Sequence, residues 1–192
     1  MFNEINIPEK YRDIKLHNMG RRPTNKYDIA ALFTLCDITA GNIFEIGTWE
    51  GKTTFEIANR YKNRVVFTID YLENELSERE QKARCKRVEL CKYAKSLDNV
   101  IFFYEKSENF QYCKLDYVDL IFIDGDHSYE GVKNDSKMAI EYLRKSSYPG
   151  KKIIAWHDCR NGTFGVNKYL QELNEKYKVT LFKKSQVGFI VL

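Results

Sequence analysis

The sequence predicts an α/β protein, a three-layer sandwich in which helices cover both faces of a mostly parallel sheet. Segments with the apolar pattern of strands alternate with segments of helical spacing along most of the chain, and this order produces parallel sheets. The strongly apolar run 118–123 is typical of a strand buried on both faces. Two short apolar segments, 179–182 and 187–192, are separated by polar residues and predict an antiparallel pair that closes the sheet.

The N-terminal elements are a lead segment, a helix, a strand and a second helix. Residues 1–26 carry scattered apolar positions before a Gly-Arg-Arg-Pro break, and they form either a lid over the site or a helix packed on the sheet edge. Residues 27–39 have apolar side chains at helical spacing. The apolar run 42–46 predicts a short strand, the glycines after it permit a tight turn, and residues 53–61 are expected to be helical.

The later elements continue the alternation. A β-branched strand over 64–68 leads to Asp70, and residues 77–95 predict a long charged helix. The basic residues of this helix are interleaved with glutamates, which favours a solvated helix face over a nucleic-acid surface. The remaining elements are expected in the order strand 100–104, strand 118–123, a helix through Lys145, strand 152–156 and helix 166–177.

Length and composition indicate one domain over residues 1–192. The 31 basic residues are nearly matched by 27 acidic ones, so the net charge of +4 favours neither a nucleic-acid nor a membrane partner. The five cysteines are odd in number and lack C-x-x-C spacing, which is typical of reduced thiols in a cytoplasmic protein. Neither a signal peptide nor an apolar run of the roughly 20 residues needed for a membrane helix is found.

The residues after the first predicted strand form the pattern E-x-G-x-x-x-G, from Glu45 through Gly47 to Gly51. The spacing excludes a phosphate loop, G-x-x-x-x-G-K-[ST], and a dinucleotide fingerprint, G-x-G-x-x-G. An acidic residue at such a turn suits a ligand that carries a cationic amine and a sulfonium. The alternative is an ordinary strand-to-helix turn.

This stretch resembles the first motif of class I S-adenosylmethionine (SAM) dependent methyltransferases. The element order over residues 27–192 is similar to their Rossmann-like fold, a seven-stranded sheet whose last strand is antiparallel. The resemblance implies that Asp70 binds the ribose and that Ser107 lies near the adenine, although Asp70 could instead cap a loop and Ser107 a helix. The implied cofactor-binding residues are Glu45, Gly47, Thr48, Gly51, Asp70, Tyr71, Ser107 and Asp124, and Leu72 could flank the adenine with Tyr71.

Two further motifs follow predicted strands: Asp124-Gly-Asp126-His127 and His157-Asp158. Carboxylates and imidazoles at buried strand ends are costly unless they are paired, metal-bound or catalytic. The first motif lacks the [DNS]-P-P-[YFW] pattern of amino-methylating enzymes, which favours O-methylation. His127 or Asp126 is the candidate general base, with helix capping as the alternative for Asp126.

The two motifs together resemble the metal-dependent O-methyltransferases of the catechol and macrocin types. The resemblance implies that Asp124, His157 and Asp158 hold a divalent cation, magnesium or manganese. His157 departs from those relatives, which carry an acidic residue there, so it either orients the substrate or favours manganese, iron or zinc. Asp135, in the next helix, is expected on the surface.

The predicted function is therefore methyl transfer from SAM to a hydroxyl of a small molecule, such as a sugar, a phenol or a natural-product intermediate. Two alternatives are a non-catalytic SAM-binding protein and a metal-dependent hydrolase or hydroxylase-like enzyme. Little of the chain is left for lids and insertions. Either the substrate is small or a second subunit of a homo-oligomer completes the pocket.

Overall fold

The computed structural model describes residues 2–20, 24–71 and 89–192, and within them an eight-stranded sheet is covered by helices on both faces. The strands are β1 (Asn3–Ile5), β2 (Asn42–Ile46), β3 (Val66–Asp70), β4 (Val100–Tyr104), β5 (Val118–Ile123), β6 (Ile153–Trp156), β7 (Thr180–Phe182) and β8 (Gly188–Val191). The α-helices are α1 (Lys26–Asp37), α2 (Lys52–Arg60), α3 (Tyr129–Lys145) and α4 (Gly165–Leu173). Short 3₁₀ turns occur at Glu9–Tyr11, Ser107–Asn109 and Tyr112–Lys114.

The strand order is β1-β7-β8-β6-β5-β2-β3-β4. Among the described strands only β8 runs against its neighbours, β6 and β7, so the prediction of a mostly parallel sheet with an antiparallel last strand is confirmed. From β2 the chain moves outward to β3 and β4, and it then returns to place β5 on the other side of β2. Such a reversal of strand order creates a crevice at the carboxyl ends of the strands, where ligands bind in open α/β sheets.

The predicted strand count of seven was wrong, because the lead segment supplies an eighth strand. Asn3–Ile5 pairs in parallel with β7 at the sheet edge, which local patterning of three residues could not indicate. Tyr11 is buried beside α1, and its hydroxyl donates to Asp37 Oδ2 at 2.5 Å. The described part of the segment, residues 2–20, is therefore an edge strand and a packed turn rather than the expected helix.

Two helix boundaries also differ from the prediction. Residues 77–88 of the predicted charged helix lie outside the described residues, and its described end, 89–95, forms turns. Cys91 there has φ of 56°, a left-handed backbone conformation that does not continue an α-helix. Helix α4 ends at Leu173, short of the predicted 177.

The core lies on both faces of the sheet, because successive side chains of a strand point to opposite sides. Ile43 packs with Ile29 of α1 and Ile57 of α2, whereas the next residue, Phe44, packs on the face covered by α3 and α4. Burying each such side chain contributes about 1.5–3 kcal/mol. None of the helices in the described ranges is long and apolar enough to cross a membrane.

Candidate active site

A cavity opens at the carboxyl ends of five neighbouring strands. Its walls are residues 45–50 after β2, 69–71 after β3, 105–108 after β4, 124–128 after β5, and 157–158 after β6. The volume of about 1580 Å³ exceeds the roughly 300–1,000 Å³ of common ligand pockets, so a cofactor and a second molecule fit together. None of the described residues 2–20 lines the cavity, and the lid over the site stays a prediction for the lead segment.

The glycines of the first motif shape the loop between β2 and α2. Gly47 has φ of 96°, and a Cβ there would collide with the carbonyl group of Asp124. Gly51 has φ of 78°, and its amide donates to the Thr48 carbonyl at 2.8 Å. Trp49 adopts φ of 49° without being glycine, a costly conformation that tends to occur at functional sites. The cofactor-binding residues predicted from the sequence line the cavity, with two exceptions. Gly51 is the N-cap of α2 behind the loop, and Leu72 lies outside the described residues.

Glu45 lies at the cavity floor and is almost fully buried. Its Oε2 accepts hydrogen bonds from Thr54 and, at 3.0 Å, from Thr68. The Thr68 hydroxyl also lies 2.6 Å from the Thr48 hydroxyl, which links the carboxyl group to the glycine loop. Burial raises the pKa of Glu45 to about 8. In the absence of a cationic ligand this carboxyl group is therefore largely protonated at neutral pH.

Asp70 joins the ends of β2 and β3. Its Oδ2 accepts from the Trp49 amide at 2.5 Å and its Oδ1 from the Tyr71 amide at 2.7 Å. The Tyr71 ring lies 5.8 Å from that of Tyr104 and beneath Lys106. Each carboxylate oxygen has further acceptor capacity, so these bonds orient Asp70 and are compatible with additional donors from a ligand.

The second and third sequence motifs come together at the ends of β5 and β6. His157 Nδ1 lies 3.3 Å from Asp124 Oδ1 and 3.4 Å from Asp158 Oδ2. One ligand atom from each of these three residues lies within 4.8 Å of the others. His127 approaches from the cavity side, with Nε2 at 2.8 Å from Asp158 Oδ2 and 3.6 Å from Asp124 Oδ1.

The charges of this four-residue cluster stabilise one another. Hydrogen bonds to Asp124 and Asp158 raise the pKa of His127 to about 9. Burial disfavours a charged His157, yet the surrounding carboxylates raise its pKa to about 12. Burial also opposes ionisation of Asp124 and Asp158, but the two histidines hold both carboxyl pKa values below their usual range. These pKa shifts favour ionised carboxylates and protonated imidazoles in the cluster.

The donor set of the cluster fits a divalent ion. Two carboxylates and an imidazole that converge on one point are the ligands used for manganese, iron and zinc, and the carboxylates also suit magnesium. Asp126 is placed differently, because its oxygens accept from the Ser128 amide at 2.8 Å and the Ser128 hydroxyl at 2.9 Å. Its side chain thus supports the turn into α3, whereas the residue that caps this helix is Ser128, whose hydroxyl accepts from the Gly131 amide at 3.0 Å.

Residues 44–159 match the family model described as "Methyltransferase domain", which spans the glycine loop and both polar motifs. The chain belongs to this methyltransferase family. The resemblance to class I SAM-dependent methyltransferases is thereby confirmed, and the alternative of a hydrolase gains no support. No curated protein matches the methyltransferase at a significant level.

Solved structures show the same fold for most of the methyltransferase. A TDP-rhamnose 3'-O-methyltransferase of calicheamicin biosynthesis, CalS11, is 15% identical with a TM-score of 0.58, and the match covers 86% of this chain and 77% of that one. A putative caffeoyl-CoA O-methyltransferase from Staphylococcus aureus is 16% identical with a TM-score of 0.62, covering 88% and 84%. An O-methyltransferase from Bacillus cereus in complex with SAH is 20% identical with a TM-score of 0.52, covering 92% and 83%.

Sequence reasoning missed Asp28, a fully buried residue of α1. Its Oδ2 lies 3.3 Å from His157 Nε2, on the side of the imidazole ring away from the cavity. The other oxygen, Oδ1, accepts from the Ser185 hydroxyl at 2.9 Å and the Gln186 amide at 2.8 Å. In the sequence Asp28 only completes a capping box with Asn25, so no local signal indicated its approach to His157.

The expectation that Asp135 lies on the surface was wrong. It is 2% exposed and lines the cavity between α3 and the loop after β4. As a polar residue in a charged helix, Asp135 was expected to face solvent. In the structure it lies on the inward face of α3 beside Val132 and Ser136. The methyltransferase thus has a buried carboxyl group at the cavity wall that was not predicted.

Proposed function

We propose that this methyltransferase transfers a methyl group from SAM to a hydroxyl of a small molecule. The observation that carries the proposal is the convergence of Asp124, His157 and Asp158 beside the glycine loop. It brings a cation-binding donor set next to the cofactor region in one cavity. A cation bound there would suit a hydroxyl acceptor, because the hydroxyl proton must be lost during transfer and nearby positive charge lowers the hydroxyl pKa.

On the cofactor side, the proposal assigns the methionine part to the loop of Gly47, Thr48 and Gly51, with Glu45 beneath it. Asp70 is the proposed ribose acceptor, and its bonds to the Trp49 and Tyr71 amides hold it in place. The purine would lie between Tyr71 and Ser107, and Asp124 would border the methionine end. Bound SAM supplies an electrophilic methyl carbon on a sulfonium.

On the acceptor side, Asp124, His157 and Asp158 would hold the divalent ion. A bound ion there supplies positive charge that orients substrate oxygens and lowers the pKa of the reacting hydroxyl. Alignment of the acceptor oxygen with the methyl group then accounts for most of the rate. His127 is the proposed group that receives the hydroxyl proton, with Asp126 as the alternative. A cation bound by Asp124 and Asp158 would lower the pKa of the His127 imidazole and so leave it neutral, as a proton acceptor must be.

Sugars and phenols are the proposed acceptor classes. The similar fold of a protein named as a TDP-rhamnose 3'-O-methyltransferase supports a sugar, and that of a putative caffeoyl-CoA O-methyltransferase supports a phenol. The exposed ring of Phe164 lies 4.6 Å from His127 and offers an apolar surface at the cavity mouth for either kind of ring.

The test is calorimetric titration with SAM, in manganese or magnesium and again in EDTA, followed by an acceptor screen of nucleotide sugars and phenols. Wild type should bind SAM, Asp70→Ala should lose binding, and the exposed Asp98→Ala should behave as wild type. Absence of SAM binding in wild type would contradict the proposed function. SAM binding without transfer to any hydroxyl would instead favour a non-catalytic SAM-binding protein.

A further inference from the structure

Asp135 is a buried carboxyl group without an evident structural partner for one of its oxygens. Within the described residues its Oδ2 has no hydrogen-bond partner, although the residue is only 2% exposed. A buried polar atom without a partner costs about 1–3 kcal/mol, so such atoms are rare in native structures unless a ligand or water satisfies them. Because Asp135 lines the cavity, a ligand can supply the missing donor.

The surroundings of Asp135 call for a hydrogen-bond donor. Burial, together with the nearby carboxylates of Asp126 and Glu108, raises the pKa of Asp135 to about 6, and a hydrogen bond with the Ser107 side chain opposes the shift. Among the described residues, none of the groups that shift this pKa is cationic. A ligand that places another carboxylate or phosphate here would be repelled.

The position of Asp135 assigns it to the cofactor end of the cavity. It faces Ser107 in the loop after β4, on the same side of β2 as Asp70. The acceptor end, with His157 and Asp158, follows β6 on the opposite side of β2. A ligand whose ribose is held at Asp70 extends its base toward the loop of Ser107 and the second turn of α3.

We propose that Asp135 accepts a hydrogen bond from the exocyclic amine of the cofactor's purine and so selects adenine. The inference rests on the proposed binding of SAM, and it adds a specificity-determining residue that the cofactor motifs do not include. Asp135 lies in a helix rather than in a strand-end loop, and its orphaned oxygen supplies the acceptor that an amine requires.

The experiment compares S-adenosylhomocysteine (SAH) with its 6-deamino analogue, in which a hydrogen replaces the exocyclic amine. Each dissociation constant is measured by calorimetry with the full chain. Wild type should bind SAH at least about tenfold more tightly than the analogue, the effect of one hydrogen bond to a charged or strongly polar group. In Asp135→Leu the ratio should fall to about one to two, because affinity for the analogue is spared.

Two further variants separate recognition from structure. Asp135→Asn keeps an acceptor oxygen and should keep most of the discrimination. Glu141→Leu, an exposed acid on the same helix, should keep the wild-type ratio. If Asp135→Leu does not fold, Asp135→Ala replaces it.

Three outcomes would overturn the inference. Equal binding of both ligands by wild type does so without any variant. A parallel loss of both ligands in Asp135→Leu, with the ratio unchanged, would show that Asp135 only supports the loop of Ser107. Failure of wild type to bind SAH would overturn the proposed function as well, whereas the first two outcomes leave that function intact.

Discussion

His127 Nε2 lies 2.8 Å from Asp158 Oδ2, which joins the segment after β5 to the end of β6. His127 is followed by the turn into α3, and its carbonyl accepts from the Gly165 amide at 2.8 Å, at the start of α4. A Cβ at position 165 would collide with the backbone of Tyr129. The imidazole is therefore held between two helices and a strand end, with its Nε2 atom directed at the carboxylates.

Removing the His127 imidazole tests its role as proton acceptor. His127→Asn is expected to lower kcat by about 10²–10⁴-fold, the usual contribution of a general base. SAM affinity should change less than about twofold, since a proton acceptor acts mainly in the transition state. Asp126→Asn is the matched comparison, with a loss below about tenfold because Asp126 is bound to Ser128. A larger loss in Asp126→Asn would reverse the assignment.

Removal of the metal tests the cluster directly. EDTA should abolish methyl transfer, and added manganese should restore it. Asp158→Ala removes one of the three convergent donors. The affinity for manganese, measured by calorimetry, should therefore fall by at least about tenfold. Full activity of wild type in EDTA would contradict the proposed cation, and His157 would then orient the substrate.

Asp28 is expected to act through His157. Asp28→Asn keeps a side-chain oxygen for the Ser185 and Gln186 donors but removes the negative charge behind the imidazole. Partners of this kind orient metal-binding histidines, and their loss lowers metal affinity by about 10–100-fold. SAM affinity should not change.

Asp37→Asn serves as the control for Asp28→Asn. Asp37 is in the same helix and accepts from Tyr11 and Tyr61, far from the cluster. It should reduce thermal stability without affecting manganese binding. Equal metal affinity in Asp28→Asn and wild type would show that Asp28 acts only structurally, by capping α1 and binding Ser185 and Gln186.

The buried pair of Arg64 and Asp119 should dominate the stability of the opposite end of the sheet. Asp119, the one polar residue of β5, accepts from Arg64 at 3.2 Å and from the amides of Ala40 and Gly41. Asp119→Ala leaves a buried guanidinium unpaired and should cost about 3–5 kcal/mol in urea unfolding. Removing the exposed pair with Glu89→Ala should have no measurable effect.

The raised pKa of Glu45 should make the free energy of unfolding fall as the pH rises. Its folded-state pKa of about 8 lies above the ordinary value of 4.5, so the folded protein binds more protons than the unfolded chain between these pH values. The stabilisation of Glu45 is fully present below pH 4.5 and is lost as the pH passes 8. Glu45→Gln should flatten this dependence between pH 5 and pH 8 in urea unfolding, whereas an unchanged slope would contradict the buried, protonated state.

The sequence by itself determined the α/β class, the antiparallel last strand and the positions of the three motifs at strand ends. These features depend on local periodicity and on glycine spacing, which are properties of short segments. The motif at Asp124 and the motif at His157 could be predicted to meet, because parallel strands carry their carboxyl ends to one edge of a sheet. The match of residues 44–159 to the methyltransferase family model agrees with the predicted α/β methyltransferase class.

Only the tertiary structure decided the eighth strand and the roles open to Asp28 and Asp135. The pairing of Asn3–Ile5 with β7 and the approach of Asp28 to His157 join residues far apart in the chain. Whether a polar residue of a helix faces solvent or a cavity depends on what packs against that helix. The local sequence pattern did not indicate that the carboxyl group of Asp135 lies on the inward face of α3. Those contacts follow from the packing of helices on the sheet, which no short segment specifies alone.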